Sequence, residues 1–459
     1  MATGESEVSR GTGDGRIDDA PRIETNLPQR ALVYSSIVAF LAWVFSVYDY
    51  TLFGTLLPKM AQDLGWSTAT STAIATWVAV AVFLVSLSVG PMLDRLGRKP
   101  SLILTTVGAA ISSGLTSLAF AAWYVIVVRA FSGLGYSEQA VNAAYLNEIY
   151  GSRRRRGLIY SMVQGGWPIG VLVGAALAAV LVPSVGWRGT FLVATAPAII
   201  IAVLGLKLRE SPRFQAMKHA RKLEQEGRHE EAVRFGRQYG IDVRHSDRNT
   251  YRQIFEPGIR KHTIFLALAF LTNWIGIQVL VVLGTTILTQ GKGVSFSSAL
   301  IFLVVSNAAA YIGYLSHGFV GDIVGRRRTI AIGWLIAGVA YSAMLFGPSS
   351  GAFVLATYTI GLFFIIGPYA ALLFYMGESF PTRMRGTGTT VVNAMGPIGA
   401  IVGSALLTAF LEAGLSVTTA AFLSGALAVI VSGFLMFGTR EVKDATQAEL
   451  ELLEEPSSV

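Results

Sequence analysis

The sequence lacks cysteine altogether and has few charged residues. Asp, Glu, Lys and Arg make up 14% of its 459 residues, against about 25% in an average soluble domain. Without cysteine, the chain can form neither a disulfide nor a thiolate metal site. The sequence also has no Gly-x-x-x-x-Gly-Lys-Ser/Thr run, so it offers no phosphate-binding loop for ATP. We therefore expect no cofactor, no metal and no enzymatic activity.

Apolar residues are correspondingly abundant. They make up 53% of the chain, and the mean hydropathy is +0.55. Apolar runs of roughly 20 residues, long enough to cross a bilayer as a helix, recur about twelve times. These runs are residues 31–57, 73–93, 101–120, 123–146, 158–182, 190–207, 263–289, 298–321, 329–346, 353–376, 389–410 and 417–437. The pattern predicts an all-α integral membrane protein with twelve transmembrane helices.

The distribution of Lys and Arg predicts the topology, because cytoplasmic loops carry the excess of basic residues. With both termini inside, about 32 of the 36 basic residues are cytoplasmic. Lys59, Arg188 and Lys292 lie outside, and Arg129 lies within the membrane. The net charge of +8 thus reflects membrane orientation and gives no support for nucleic-acid binding. Residues 1–30 lack the apolar core of a signal peptide, so we expect a disordered cytoplasmic tail of a multi-pass plasma or inner membrane protein.

Three patterns occur twice, at offsets of about 228 to 230 residues. Residues 90–99 recur as 318–327. Glu148 and the Arg-Gly at 156–157 recur as Glu378 and the Arg-Gly at 385–386, and the Pro-Ile-Gly at 168–170 recurs at 397–399. The repetition predicts an internal duplication. We expect two pseudo-symmetric six-helix bundles, 31–207 and 263–437, joined by a cytoplasmic linker, 208–262, with short helices, and followed by a cytoplasmic tail, 438–459.

The repeated loop combines glycines, an acid and a basic cluster where helices meet the cytoplasm. Glycine permits close helix approach and tight turns, and an acid near a neighbouring Arg can hold two helices together. We predict that this loop and the acids and bases that follow it latch the cytoplasmic gate. The gating residues in the two halves are Gly90, Asp94, Arg95, Gly97, Arg98, Glu148 and Arg156, and then Asp322, Gly325, Arg326, Glu378 and Arg385.

Two opposite charges fall inside predicted membrane spans. Asp49 lies in the first apolar run and Arg129 in the fourth. By our placement of the helix ends, both lie about eight residues from the same surface, which is a depth of roughly 12 Å. A charge within the membrane is costly unless it faces the protein interior and finds a partner. We predict that Asp49 and Arg129 carry a transported proton, although a static ion pair joining two helices is the simpler alternative.

A third ionisable residue, Glu138, follows Arg129 on the same run. Glu138, Asn142 and Tyr145 are spaced i, i+4, i+7 and therefore share one helix face. We predict that this stripe lines the central cavity, with Glu138 as a second proton site or a substrate counter-ion. A protonated Glu bonded to a neighbouring helix is equally consistent with the spacing.

Amides and aromatic residues in the other runs are candidates for binding a small substrate. For each of them, an interhelical hydrogen bond or a packing role is the alternative. With the stripe above, the candidate substrate-binding residues are Tyr48, Asn142, Tyr145, Gln164, Trp167, Asn273, Trp274, Gln278, Asn307, Tyr311, Tyr375 and Asn393.

These motifs resemble those of the major facilitator superfamily. Residues 90–99 and 318–327 are similar to its signature loop and second-half copy, and Arg129-x-x-x-Gly133-x-Gly135 is similar to its fourth-helix motif associated with proton coupling. The loop motifs at 210–213 and 378–386 resemble those of the branch that contains sugar porters and metabolite:proton symporters. The order of Asp49 and Gly54 in the first helix resembles aromatic acid:proton and other organic acid:proton symporters. Those symporters usually carry a second acid where this chain has Ser46.

The resemblance implies a proton-coupled secondary transporter, a monomer surrounded by lipid, that imports a small organic acid by alternating access. The residues leave other cargoes open. A sugar, a polyol or an organic cation fits the same fold, and Glu138 favours the cation. Drug:proton antiport and ligand sensing without transport are further alternatives.

Overall fold

The computed structural model describes residues 27–150, 162–238, 254–380 and 385–441. The predicted N-terminal tail lies almost entirely outside these ranges, as do Arg156, part of the linker and all but the first residues of the C-terminal tail.

The described chain is built from helices that follow one another closely. In chain order, the α-helices are α1 Gln29–Leu64, α2 Thr68–Ser86, α3 Val89–Leu96, α4 Arg98–Thr116, α5 Ala122–Ala130, α6 Ser132–Tyr136, α7 Glu138–Tyr150, α8 Gly166–Val193, α9 Thr195–Leu206, α10 Pro212–Gln225, α11 His229–Gln238, α12 Pro257–Ile277, α13 Gly284–Thr286, α14 Phe296–Val324, α15 Arg326–Phe346, α16 Gly351–Ile366, α17 Tyr369–Glu378, α18 Arg385–Glu412, α19 Val417–Ala421 and α20 Leu427–Phe437. Three π-helical turns interrupt the second half, at Gln278–Val282, Ile287–Gly291 and Phe422–Ala426.

Within the described ranges, nine helical segments are long and apolar enough to cross a membrane. One of them, Met162–Leu206, has 45 residues and is too long for a single crossing of about 20. It turns at Gly186, whose φ of 66° is accessible to glycine, and so provides two crossings. The polar helix α4 and the broken series α5 to α7 provide two more. Together with the other eight segments, these four crossings give a total of twelve, which confirms the predicted all-α membrane fold.

Serine hydroxyls cap several of the helices at their first turn. Ser67, Ser295 and Ser416 accept hydrogen bonds from the backbone N–H groups three residues later. These caps satisfy N–H groups that have no partner within the helix. They fix where α2, α14 and α19 begin after the short connections on the predicted outer side.

Helices from the two halves of the chain pack against each other along two seams. Helix α2 packs along α18, and α8 packs along α14. Within the halves, α1 packs along α8, and α12 packs between α18 and α20. Helices α1 and α12 thus lie beside the centre of the molecule, where Tyr50 of α1 bonds to Gln278, the residue after α12.

Candidate functional site

Asp49 and Arg129 are in contact inside the first half. Arg129 Nη1 donates to Asp49 Oδ1 at 3.1 Å, and Nη2 donates to the Asp49 backbone carbonyl at 2.9 Å. Ser113 on α4 also donates to Asp49 Oδ1. Both charged side chains are 1% exposed. The contact therefore joins α1, α4 and α5 and keeps both charges away from lipid.

Part of this pair has no partner within the described part of the chain. Asp49 Oδ2 and Arg129 Nε are buried and accept or donate no hydrogen bond there. The guanidinium lies 5.6 Å from the ring centre of Phe53 and 6.0 Å from that of Phe191, distances at which aromatic rings attract a cation. One carboxylate oxygen thus remains available for a proton.

The pair lies next to the boundary between the halves. Arg129 and Gln278, from opposite halves, line one small cavity together with Tyr50. Tyr50 donates to Gln278 Oε1 at 3.4 Å, and Gln278 Nε2 donates to Ser404 at 3.0 Å. The Asp49–Arg129 pair therefore lies beside a hydrogen-bonded contact between the two halves.

We predicted that Glu138, Asn142 and Tyr145 line the central cavity, but their side chains face neighbouring helices. Glu138 is 0% exposed and accepts from Thr105 on α4, while its Oε1 has no partner among the described residues. Asn142 donates to the Ala39 carbonyl at 3.0 Å, and Tyr145 contacts Ser35. The stripe thus faces α1 and α4 and does not line the central cavity. The neighbouring residue Gln139 lines it instead, because successive residues of a helix differ by about 100° in direction.

A central cavity lies between the two halves and has a volume of about 40 Å³. Aromatic and amide side chains from both halves surround it. Its lining residues are Trp43, Gln139, Gln164, Trp167, Phe270, Trp274, Ile277, Tyr314, Ile366, Tyr369, Leu373 and Asn393. Asn393 is exposed and lies toward the N-terminal end of α18, so the cavity opens on the side predicted to be cytoplasmic.

Four of the predicted substrate-binding residues line this cavity: Gln164, Trp167, Trp274 and Asn393. The others lie outside it, and most bond to neighbouring helices or to their own. Their contacts are Tyr48 with Gly174, Asn273 with Ser432 and Tyr369, Gln278 with Tyr50 and Ser404, Asn307 with its own helix at Leu303, and Tyr375 with Thr439 and Arg440. Tyr311 is half-buried, and Tyr314, one turn later, reaches the cavity in its place.

Charged residues of the first signature loop form a cluster within the first half. Arg98 Nη2 lies 2.7 Å from Glu148 Oε1, and both side chains are about one-tenth exposed. Glu210 accepts from the backbone N–H of Arg98 at 3.0 Å, which places a carboxylate at the N-terminus of α4. Gly97 has a φ of 105°, and a side chain there would collide with Glu210. The cluster joins the third, fourth and sixth crossings at their predicted cytoplasmic ends.

The second half repeats this cluster. Arg326 contacts Glu378 and lies 3.2 Å from Asp322, and Arg327 lies 2.5 Å from Glu441. Gly325 has a φ of 101°, and Glu441 lies beside it as Glu210 lies beside Gly97. The side chains of Asp94 and Arg385 and the whole of Arg156 are outside the described part of the structure. Among the described residues, Gly90 and Arg95 make no contact that could act as a latch.

The halves also meet near the predicted outer surface. Thr285 donates to the Gly54 carbonyl at 2.9 Å, and Thr408 donates to Thr72 at 2.9 Å. A β-carbon built on Gly54 would lie 2.1 Å from the Val282 carbonyl oxygen. The absence of a side chain at Gly54 therefore lets α1 and the π-helical turn touch and closes this side of the molecule.

Several residues of these sites, Glu210, Glu441 and Gln139 among them, were not predicted to act there. Glu210 and Glu441 are 231 positions apart, close to the repeat offset of the loops that they contact, so that offset was a usable signal. Gln139 carried no signal, because its role depends on the direction of one helix face.

Comparison with known proteins agrees with this architecture. The sequence profile of the Major Facilitator Superfamily matches residues 39–404, with a second match at 266–458. A solved structure of the xylose transporter XylE from E. coli, in an inward-open conformation, aligns with a TM-score of 0.71 at 16% identity, covering 92% of this chain and 100% of that one.

Several relatives are named as transporters. A gallate transporter of Pseudomonas putida is 26% identical, over 86% of this chain and 91% of the relative. A gentisate transporter of Corynebacterium glutamicum is 27% identical, over 89% and 85%. A niacin transporter of Acinetobacter baylyi is 26% identical, over 85% and 90%. The chain therefore belongs to the Major Facilitator Superfamily and is a multi-pass membrane transporter, not an enzyme.

Proposed function

We propose that the protein imports a small organic acid, aromatic or hydroxylated, together with protons by alternating access. The buried contact of Asp49 with Arg129, in which one carboxylate oxygen has no partner among the described residues, is the observation that carries the proposal. That oxygen can take up a proton when the contact with Arg129 opens.

The relatives and the cavity support the choice of cargo. Gallate, gentisate and niacin are each a flat ring that carries a carboxylate, and the relatives named for them span most of this chain. Six of the twelve residues that line the central cavity are aromatic and three are amides, as expected for a small planar ligand. We therefore place the substrate there, against Gln164, Trp167, Trp274 and Asn393.

The proposed transport cycle exposes this cavity to one side at a time. In this structure, the Gly54 and Thr72 contacts close the predicted outer side, and the exposed Asn393 marks the opening on the other side. Protonation of Asp49 would weaken its attraction for Arg129, which shares a small cavity with Gln278 of the opposite half. Proton transfer is thereby linked to the rocking of residues 31–207 against 263–437, with both termini cytoplasmic.

Sugar transport is the second candidate function. The amides Gln139, Gln164 and Asn393 in the cavity are groups that also bind hydroxyls. Transport assays with a sugar and an aromatic acid in parallel separate the two candidates. The organic-cation alternative loses its sequence argument, since Glu138 lies outside the cavity.

Replacing Glu138 by Gln should flatten the pH dependence of substrate accumulation. The amide keeps the hydrogen bond with Thr105 but cannot release a proton, so a second proton site would be lost. Accumulation is measured in cells between acidic and neutral external pH, with Glu412→Gln, an exposed carboxylate, as the control. A pH profile identical to that of the control would assign Glu138 a purely structural role.

Replacing Glu148 by Gln should lower the uptake rate several-fold. The substitution removes the charged acceptor of Arg98, and a hydrogen bond between charged groups contributes about 1.5–3 kcal/mol. Initial uptake rates and thermal stability are compared with those of the control variant Glu226→Gln. The Glu226 carboxylate is 43% exposed, and exposed ion pairs contribute only about 0–1 kcal/mol. Equal behaviour of the two variants would remove Glu148 from the gate.

A further inference from the structure

Three residues that line the central cavity each have a buried side-chain N–H group with no hydrogen-bond acceptor among the described residues. These groups are Gln164 Nε2, Trp167 Nε1 and Trp274 Nε1. A buried donor without an acceptor lowers stability, so native proteins rarely keep one without a reason. Three such donors around one cavity indicate a ligand that accepts hydrogen bonds.

The contacts of these residues leave hydrogen-bond donors, rather than acceptors, without partners. Gln139 Nε2 donates to Gln164 Oε1 at 3.1 Å, which occupies the carbonyl of Gln164 and leaves its amide N–H groups unused. The rings of Trp167 and Trp274 are nearly perpendicular, at 83°, with centroids 5.7 Å apart. Trp167 belongs to α8 and Trp274 to α12, so the donors come from both halves.

The rest of the cavity wall suits the flat, apolar body of a ligand. Phe270, Trp43 and Tyr369 surround the two indoles, and Trp43 already donates its N–H to the Gln164 backbone carbonyl at 3.3 Å. None of the twelve lining residues carries a formal charge. A cationic ligand would find no carboxylate there.

We infer that Trp167, Trp274 and Gln164 form a subsite that binds the carboxylate of an aromatic acid through neutral donors, without a cation. The inference rests on the proposed function and names the chemistry of its substrate. Fixed neutral N–H groups stabilise a negative charge at an oxyanion hole in the same way. Because no positive side chain in the cavity balances the carboxylate, the co-transported proton has to balance its charge during transport.

Gln139 acts in this subsite as a positioning residue. Its amide donates to Gln164 Oε1 and so decides which end of the Gln164 amide is free. Replacing Gln139 by Met removes that donor and lets Gln164 present either its oxygen or its N–H groups. We expect the preference for an acid over the matching amide to fall, while the overall fold is kept.

The test compares nicotinate with nicotinamide, which differ only in that one carries a carboxylate and the other an amide. Equilibrium binding of this pair, and of gallate and gentisate as two further acids, is measured with purified wild-type protein and with Trp167→Phe and Trp274→Phe. Phenylalanine keeps an aromatic ring and removes the N–H. We expect each variant to bind the three acids about ten-fold more weakly and to lose most of its selectivity for nicotinate over nicotinamide.

Trp43→Phe is the matched comparison, because the indole N–H of Trp43 is already bonded. It should change the affinities for nicotinate and nicotinamide by the same factor. An unchanged acid-to-amide ratio in both Trp167→Phe and Trp274→Phe, or no binding of any of the three acids to the wild type, would overturn the inference. Trp-dependent acid binding without proton movement would instead contradict the proposed symport and leave the subsite standing.

Discussion

Asp49→Asn is expected to abolish accumulation of substrate against its gradient while sparing exchange of internal for external substrate. The amide cannot carry a proton, and it leaves Arg129 as a buried charge without its acidic partner, a loss that typically costs about 3–5 kcal/mol. With one proton per substrate and an interior one pH unit more alkaline, the wild type should accumulate substrate about ten-fold. The variant should reach an inside-to-outside ratio of about one.

Transport of radiolabelled gallate is measured in proteoliposomes. Accumulation is followed under a pH gradient, and exchange is followed without a pH gradient. Asp63→Asn is the matched control, since it makes the same change near the end of the same helix. Asp63 accepts from Trp187 at 2.6 Å, a bond that an amide oxygen keeps. Accumulation by Asp49→Asn at the wild-type level would remove Asp49 from the proton path.

Gly54→Ala is expected to hold the outer side open and to reduce transport strongly. The added methyl group would lie 2.1 Å from the Val282 carbonyl oxygen, so α1 and the π-helical turn could no longer touch. Overpacking costs about 1–3 kcal/mol, which shifts the equilibrium between the two gate states by roughly five- to 150-fold. Substrate uptake should fall by a similar factor.

The absence of cysteine makes the gate directly measurable. A cysteine in place of Thr286, which is 3% exposed and lines the outer vestibule, should react slowly with a membrane-impermeant maleimide. It should react faster when Gly54 is Ala. Gly258→Ala is the control, because nothing lies within 4 Å of its added carbon. Slow labelling in a well-folded, inactive Gly54→Ala protein would show that the outer gate closes without this contact.

The sequence predicted those features that depend on depth or repetition. Asp49 and Arg129 could be matched because distance along a helix converts directly into depth in the membrane. The two signature loops could be matched because a duplication places equivalent residues in equivalent positions, and both loops form clusters around Arg98 and Arg326. Neither argument requires knowledge of how a helix is rotated.

Features that depend on helix rotation could not be predicted in the same way. The fourth crossing is broken into α5, α6 and α7, and a difference of one residue decides that Gln139 faces the cavity while Glu138 faces α4. Aromatic residues such as Trp43, Phe270 and Tyr369 line the cavity, but in the sequence they look like any residues packed between helices. The partners of buried amides depend on such rotations too, which is why Asn273 and Gln278 lie outside the cavity.

Proton movement driven by an organic acid is the most direct test of the proposed function. Purified protein in liposomes loaded with a pH-sensitive dye is challenged with gallate, gentisate, nicotinate, xylose and an organic cation, with protein-free liposomes as the control for passive leak of the acids. We predict rapid acidification of the lumen with at least one of the acids, lost in Asp49→Asn. Acid-driven rates no higher than those of protein-free liposomes, with a response to xylose or the cation, would contradict the assignment of the cargo as an organic acid.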